Sequence, residues 1–322
     1  MHLTVLTGGV GAARFLDGLV RVVPPESVTV VGNVADDVEI LGLHVSPDLD
    51  TVVYTLAGVV EPERGWGLAG DTARALAVAS RLGGEDWFHL SDGDIGLHLL
   101  RTERLRRGEP LSAVMRDVAE GFGLSIRLLP ATDDPVRTFL TTAAGELDFQ
   151  TYFVRRRHED EVLAVRYAGA EEARPAPGVL EALAAADAVI VAPSNPFLSI
   201  EPILAVPGIR RTIAARTEPV VAVSPIVAGR ALKGPADRML RSLAGEASPR
   251  AVAERYSDFL THMLVDTADA ELLPALEAVG LRAAAGPTLM ATLEGRIAVA
   301  QATLRLVDML ELDAEDAPHL PR

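Results

Sequence analysis

Three glycines in "LTGGVGAARFLDGL", Leu6 to Leu19, follow a short apolar run and precede a helix-like pattern. Gly8, Gly9 and Gly11 would let the backbone approach a diphosphate whose charge meets the N-terminus of the next helix. A plain tight turn between strand and helix would use the same glycines. No Gly-Lys-Ser/Thr follows, which weighs against a Walker-type nucleotidase, and the spacing is not G-x-G-x-x-G. A second stretch, "GNVADDVEILGLHVSPDLDTVVYTLAG", brings Asp36, Asp37, Asp48 and Asp50 close in sequence, with Asn33 and His44 among them. Carboxylates beside a diphosphate suit Mg2+, which takes one or two of them together with phosphate oxygens. The plainer possibility makes Asp50 the N-cap of a helix beginning at Thr51, and Asp36 and Asp37 turn residues.

A third stretch, "WFHLSDGDIGLHLLRTERL", places Asp92, Asp94 and His98 at a strand-to-helix junction, with Arg101 and Arg104 further along. It reads either as an acceptor-binding loop that includes His89 or as an N-capped helix with exposed charges. Ser194 and Asn195 in "APSNPFLSI", and Ser224 in "VSPIVAGRALKGPAD", each follow an apolar strand-like run. Polar groups there emerge at the carboxyl edge of a sheet, where open α/β folds bind ligands, here a nucleotide. Ser194 lacks a G-x-S-x-G elbow, which disfavours a hydrolase nucleophile. "RRRH", Arg155 to His158, would contact a phosphate or carboxylate, or serve as a charged strand edge that blocks pairing.

These residues need a scaffold that delivers loops to one edge. "HLTVL" and "SVTVV" flank a helical stretch from Ala12 to about Val22, the order of a βαβ unit. Helical patterns recur over Asp71–Leu82, Ile95–Arg107 and Leu111–Gly121, the last with Pro110 at its start. The runs "DAVIV" and "EPVVAV" are continuously apolar, as parallel strands buried on both faces require. The expectation is one α/β domain over 1–322, a Rossmann-like parallel sheet flanked by helices. Residues 127–168, where "DFQTYFVRRR" and "EVLAVRYAG" read as paired strands, are a candidate β-containing insertion or lid. A long helix is expected over Leu289–Leu310, with 312–322 a frayed tail.

The 322 residues carry a formal charge of −15, are 49% hydrophobic and have a mean hydropathy of +0.23. That describes an ordered globular chain without general affinity for nucleic acid or anionic membranes. A small phosphorylated ligand remains compatible, because backbone amides and metal ions hold phosphate as readily as basic side chains. The sequence has no cysteine, which removes disulfides, thiolate metal sites and cysteine nucleophiles. No leader-like start and no apolar run of spanning length is seen, so the expected location is cytoplasmic.

Taken together, "LTGGVGAARFLDGL", "NVADD", "SPDLDTVVYTLAG", "GWGLAGDT", "LLPATDDPVRT", "APSNPFLSIEPILAVPGIR", "VVAVSPIVAGRALKGPAD" and "FLTHMLVDTAD" resemble the 2-phospho-L-lactate transferase family of coenzyme F-420 biosynthesis. The resemblance implies transfer of a phospholactyl or phosphoenolpyruvyl group from a guanosine diphosphate ester to the deazaflavin Fo, releasing GMP. It implies Mg2+ on Asp36, Asp37 and Asp50, with Asp50 catalytic. Asp92, in a loop His89–Asp94 expected to end a strand near that metal, would be catalytic by orienting the acceptor hydroxyl or taking its proton. Donor and acceptor would lie along Gly8, Gly9, Gly11, Asn33, Asp50, His89, Ser194, Asn195 and Ser224, and a homodimer is expected. On this reading Asp50→Asn should lose turnover but little stability, and Gly11→Val should block the diphosphate. Where the family has Gly-Asp-Arg-Asp this chain has Ser91-Asp92-Gly93-Asp94, so an arginine expected near the substrates is missing. Regulatory nucleotide-sugar-binding proteins of the gluconeogenesis-factor type, and a Rossmann-like nucleotide-binding module without catalysis, are the alternatives.

Overall fold

A computed structural model describes residues 1–309. Strand β1 (Leu3–Thr7) enters helix α1 (Gly9–Leu19), and β2 (Val28–Gly32) returns parallel to β1. A hairpin of β3 (Val38–Ile40) and β4 (Leu43–Val45) leads to α2 (Pro47–Leu56). Helices α3 (Arg74–Arg81), α4 (Asp92–Arg106) and α5 (Leu111–Gly121) precede β5 (Arg127–Pro130). A small antiparallel sheet follows, in which β7 (Gly145–Asp148) and β8 (Val162–Ala168) both pair with β6 (Arg137–Thr142). Then come α6 (Val179–Ala185), β9 (Ala188–Val191), α7 (Glu201–Ala205), α8 (Ile209–Ala214) and β10 (Val220–Val223). The hairpin β11 (Ile226–Val227) and β12 (Arg230–Ala231) is followed by α9 (Ala236–Ala244), α10 (Pro249–Arg255) and β13 (His262–Asp266). Helix α11 (Leu273–Glu277), β14 (Arg282–Gly286) and α12 (Leu293–Leu306) complete the described chain.

Seven strands form one parallel sheet in the order β14-β13-β10-β9-β1-β2-β5. The chain builds outward from β1 in one direction through β2 and β5, and in the other through β9, β10, β13 and β14. The direction reverses between β1 and β9, the kind of switch point at whose carboxyl edge open α/β sheets bind ligands. Every residue of β1, β9 and β10 is buried. Two apolar layers, one on each face, account for the unbroken runs of Val, Ile and Leu. The fold is therefore the Rossmann-like α/β architecture expected. No helix among the described residues is long and apolar enough to cross a membrane.

Some local expectations give way. Arg127–Pro130 belongs to the main sheet as its edge strand against β2, so the antiparallel insertion begins only at Arg137. "DFQTYFVRRR" is not a strand beside "EVLAVRYAG". Only Asp148 ends β7, and Thr151–Arg155 forms a wide helical turn. Asp148 accepts from the Thr151 amide at 2.9 Å and Phe149 stacks on Phe153 at 5.2 Å, which winds the backbone instead of extending it. The "RRRH" segment is accordingly the end of this turn and not a charged strand edge; Arg157 and His158 take positive φ. The terminal helix runs Leu293–Leu306, and 312–322 lies outside the described residues.

Helix α1 is clamped against α12 by a close approach at Gly18. A Cβ there would stand 2.1 Å from the Arg296 carbonyl oxygen. Gly18→Ala is expected to cost about 2 kcal/mol or more in urea unfolding, because backbone must move to admit the methyl. Gly121→Ala, where nothing lies within 4 Å, should instead gain up to about 1 kcal/mol from helix propensity. Equal effects of the two changes would contradict this packing.

Candidate functional site

The loops after β1, β2 and β9 meet at the reversal point. Gly8 is the extended N-cap of α1 and offers no side chain to cap it. Gly9 takes φ +70°, a conformation open to glycine at little cost. A Cβ on Gly11 would stand 2.4 Å from the Pro193 carbonyl oxygen, so this glycine seats α1 directly on the exit from β9. Gly11→Val would strike the protein's own backbone before any ligand, so its effect reports this packing and not diphosphate binding. A Cβ on Gly8 would likewise stand 2.5 Å from Ser199 Cβ and 2.9 Å from Asp48 Oδ2. These glycines let protein close around the start of α1.

Asn33 is the tie between the loops. Its amide Nδ2 donates to Asp48 Oδ2 at 3.0 Å and to the Leu198 carbonyl at 3.2 Å, and its Oδ1 accepts from the Ala35 amide. Ser194 Oγ donates to the Gly8 carbonyl at 2.9 Å. Asn195 Oδ1 accepts from the amides of Phe197 and Leu198 and so caps the turn after β9. Ser224 Oγ closes a small loop on both the amide and the carbonyl of Ile226. In this structure the hydroxyls and amides anticipated as nucleotide contacts hold the loops in shape.

Three carboxylates converge beneath the start of α1, and they are Asp36, Asp37 and Asp48. Asp36 and Asp37 are buried in the turn after β2, and Oδ1 of each has no hydrogen-bond partner. Oδ2 of Asp37 accepts from Ser46 Oγ at 2.8 Å and meets His44 Nε2 at 2.9 Å. The turn is braced from the insertion by Gln150, whose Nε2 donates to the Asp36 carbonyl at 2.7 Å. Burial pushes the Asp36 carboxyl well above its ordinary range, and the charges of Asp48 and Asp37 push it further. Burial likewise lifts Asp48 to about 7, assisted by Asp37 and opposed by Asn33 and the Gly9 amide. An orphaned oxygen on each of two buried carboxylates, plus mutual repulsion, is a donor set that a hard divalent cation would relieve. As it stands, no group of three or more His, Asp or Glu side chains among the described residues could hold a metal ion by itself. The donor set is therefore an open one that phosphate oxygens would have to complete.

Asp50 is used differently. It lies within α2, whose N-cap is Ser46, and so caps nothing at Thr51. Its two oxygens take both terminal nitrogens of Arg101, one at 3.0 Å and the other closer. Arg101 is fully buried, donates also to the His44 carbonyl, and lies beside His98. Burial opposes the guanidinium charge, but Asp50 outweighs it and holds Arg101 above its ordinary value. Burial keeps His98 below its own. Asp50 is thus paired with Arg101, and Asp48 is the α2 carboxylate that stands near Asp36 and Asp37. Arg101 is not the exposed helical charge that the sequence allowed.

Asp92 begins α4 but serves α3. Its oxygens accept from Thr72 Oγ1 and from the amides of Arg74 and Ala75. The Thr72 hydroxyl and those amides hold its carboxyl below the usual range. Asp94 closes a capping box with Ser91. A Cβ on Gly93 would lie 2.5 Å from Leu68 Cδ1 and 2.7 Å from Asp71 Oδ2, and the Gly93 amide donates to that same oxygen. The missing arginine thus coincides with a loop, 68–72, closed down on α4. His89 is exposed and meets Trp66 edge-on at 6.1 Å.

Fold and site together define an open α/β protein in which buried acids and a glycine turn meet at the strand reversal. The chain belongs to the family described as 2-phospho-L-lactate transferase CofD, whose pattern matches residues 3–281. A phosphoenolpyruvate transferase of Streptomyces griseus is 43% identical over 96% of this chain and 99% of its own length. A 2-phospho-L-lactate transferase of Methanococcoides burtonii is 36% identical over 91% of this chain and 95% of its own. In fold, a UPF0052-family protein of Bacillus halodurans matches with a TM-score of 0.60, covering 94% of this chain and 98% of that one at 17% identity.

The buried pair makes a clear demand. Asp50→Asn should lower the unfolding free energy by about 3–5 kcal/mol, because it strands the Arg101 charge, and Asp50→Asn with Arg101→Met should recover part of that loss. A small loss in the single variant would restore the expectation of an unpaired Asp50. Asp48 has the opposite sign. Its folded pKa lies above its unfolded one, so its contribution to stability is lost as pH rises from about 4 to about 7. Urea unfolding should show Asp48→Asn gaining on wild type across that interval and holding a constant lead above it. A pH-independent difference would contradict the crowding.

Proposed function

We propose that the protein transfers a phosphoenolpyruvyl group from a guanosine diphosphate ester to the ribityl hydroxyl of the deazaflavin Fo, with GMP as the leaving group. The observation that carries this reading is the convergence of Asp36, Asp37 and Asp48 at the start of α1, at the switch point of the sheet where open α/β folds bind nucleotides. The choice of enolpyruvate over lactate follows the names of the more similar relatives. Asp36 and Asp37, through their unpartnered Oδ1 atoms, are the residues that would hold Mg2+ together with donor phosphate oxygens. Mg2+ bound there supplies charge stabilisation at the transferring phosphorus.

The acceptor oxygen forms a bond to the phosphorus that carries the organic acid, and the bond from that phosphorus to the GMP oxygen breaks. The hydroxyl proton passes to Asp48, whose pKa near 7 suits a general base at neutral pH. Asp50 and Arg101 act by holding α2 and α4 together, which fixes Asp48 against Gly9. Asp92 is left out of this machinery because α3 engages its oxygens. The exposed Trp66 and His89 rings offer a stacking surface for the flat acceptor near α1.

Incubation with Fo and the guanosine diphosphate ester of enolpyruvate, lactate or glycerate, followed by mass spectrometry, tests the proposal. The expected outcome is a phosphoenolpyruvyl-Fo product formed one-for-one with GMP, abolished by EDTA and reduced about 100-fold or more in Asp48→Asn. GMP release without an Fo product, or no turnover with any of the three esters, would refute it.

A further inference from the structure

The sequence has 30 basic residues, and 29 of them are arginine; Lys233 is the single lysine. A chain that otherwise uses arginine for its positive charge has kept one compact, strongly hydrated ammonium, and its place in the fold is telling. Lys233 lies between β12 and α9, on the excursion that leaves β10 at the carboxyl edge of the sheet. Its Nζ donates to the carbonyl of Arg64, 169 positions away in sequence. The Arg64–Gly65 segment in turn rests on the first two turns of α1. A Cβ on Gly65 would stand 2.8 Å from Val10 Cγ1 and 3.5 Å from a terminal nitrogen of Arg14. Lys233 and Arg14 therefore approach one short segment from opposite halves of the sheet, beside the glycine turn.

Neither cation has a carboxylate partner among the described residues. Arg64, by contrast, pairs with Glu61 at 3.3 Å and lies over the Trp66 ring at 4.8 Å. Desolvation, and then the neighbouring charge of Arg14, keeps the Lys233 ammonium below its ordinary range. Desolvation and Arg296 do the same to Arg14. In a protein of net charge −15, two neighbouring cations left without acids are a site prepared for an external anion.

We infer that Lys233 and Arg14 form the anion subsite for the donor's diphosphate. Lys233 supplies from a distant loop the ammonium that a Walker motif carries within its own glycine turn. This rests on the reading that the donor is a guanosine diphosphate ester. In the free protein the ammonium is parked on the Arg64 carbonyl, a neutral acceptor, and an ionised phosphate oxygen is the stronger partner for it. The diphosphate would then be held by cations on one side and, through Mg2+, by the acid cluster on the other.

Calorimetric titration of the full-length protein with GDP, GMP and inorganic pyrophosphate tests this, using wild type, Lys233→Gln and Lys233→Arg. Lys233 is exposed, so thermal unfolding should be unchanged in both variants, and binding is read on folded protein. Lys233→Gln is expected to weaken GDP about 10- to 100-fold and GMP less than about threefold, with Lys233→Arg recovering only part of the loss, because the larger planar guanidinium keeps the charge but not the compact ammonium. Equal GDP affinity in wild type and Lys233→Gln would overturn the inference. If wild type binds no GDP, the donor reading itself fails and pyrophosphate decides the subsite. Pyrophosphate binding lost in Lys233→Gln would sustain the subsite, and pyrophosphate binding that is absent or unaltered would overturn it.

Discussion

Like charges held together out of water are the constraint around which this protein is arranged. Asp36, Asp37 and Asp48 are drawn under the start of α1, where burial and the neighbouring carboxylates oppose ionisation of Asp36 and Asp48. A folded chain tolerates this only if other contacts over-determine the geometry. Asn33 holds Asp48 from one side, Ser46 and His44 hold Asp37, and Gln150 fixes the turn from the insertion. The glycines remove the Cβ atoms that would keep Ser199 and Pro193 away from α1. Each of these features spends stability on proximity, as ligand sites commonly do.

The buried pair of Asp50 and Arg101 gives that arrangement its rigidity. Asp48 and Asp50 are two residues apart on α2, and a rotation of about 100° per residue sends them to opposite faces. One carboxylate faces the glycine turn and stays uncompensated, while the other faces α4 and is neutralised by a guanidinium. Two acids of one short motif thereby acquire separate roles from helical geometry alone.

The sheet and its polarity were legible in the sequence, because strands buried on both faces must be continuously apolar and glycine must follow a strand that closes on a helix. The cluster of aspartates was legible as a cluster. Which member does what was not, since adjacent residues on a helix or turn point apart and sequence distance hides that. Residues delivered from far along the chain were also hidden. Arg101 meets Asp50 across 51 positions and Gln150 meets Asp36 across 114. Lys233 reaches Arg64 across 169 positions, and its being the sole lysine is the one signal of it in the sequence. The turn over Thr151–Arg155 was misread because its β-favouring residues are wound up by local contacts of Asp148 and Phe149.

The central claim is that the acid cluster becomes a site only when a divalent cation bridges it to a diphosphate. The most direct measurement is the affinity of wild type and Asp37→Asn for GDP, by calorimetry, with Mg2+ present and with EDTA. GDP should bind wild type at least about tenfold more tightly with Mg2+, and Asp37→Asn should lose most of that gain. GDP affinity indifferent to Mg2+ in wild type, or a full Mg2+ gain in Asp37→Asn, would contradict it.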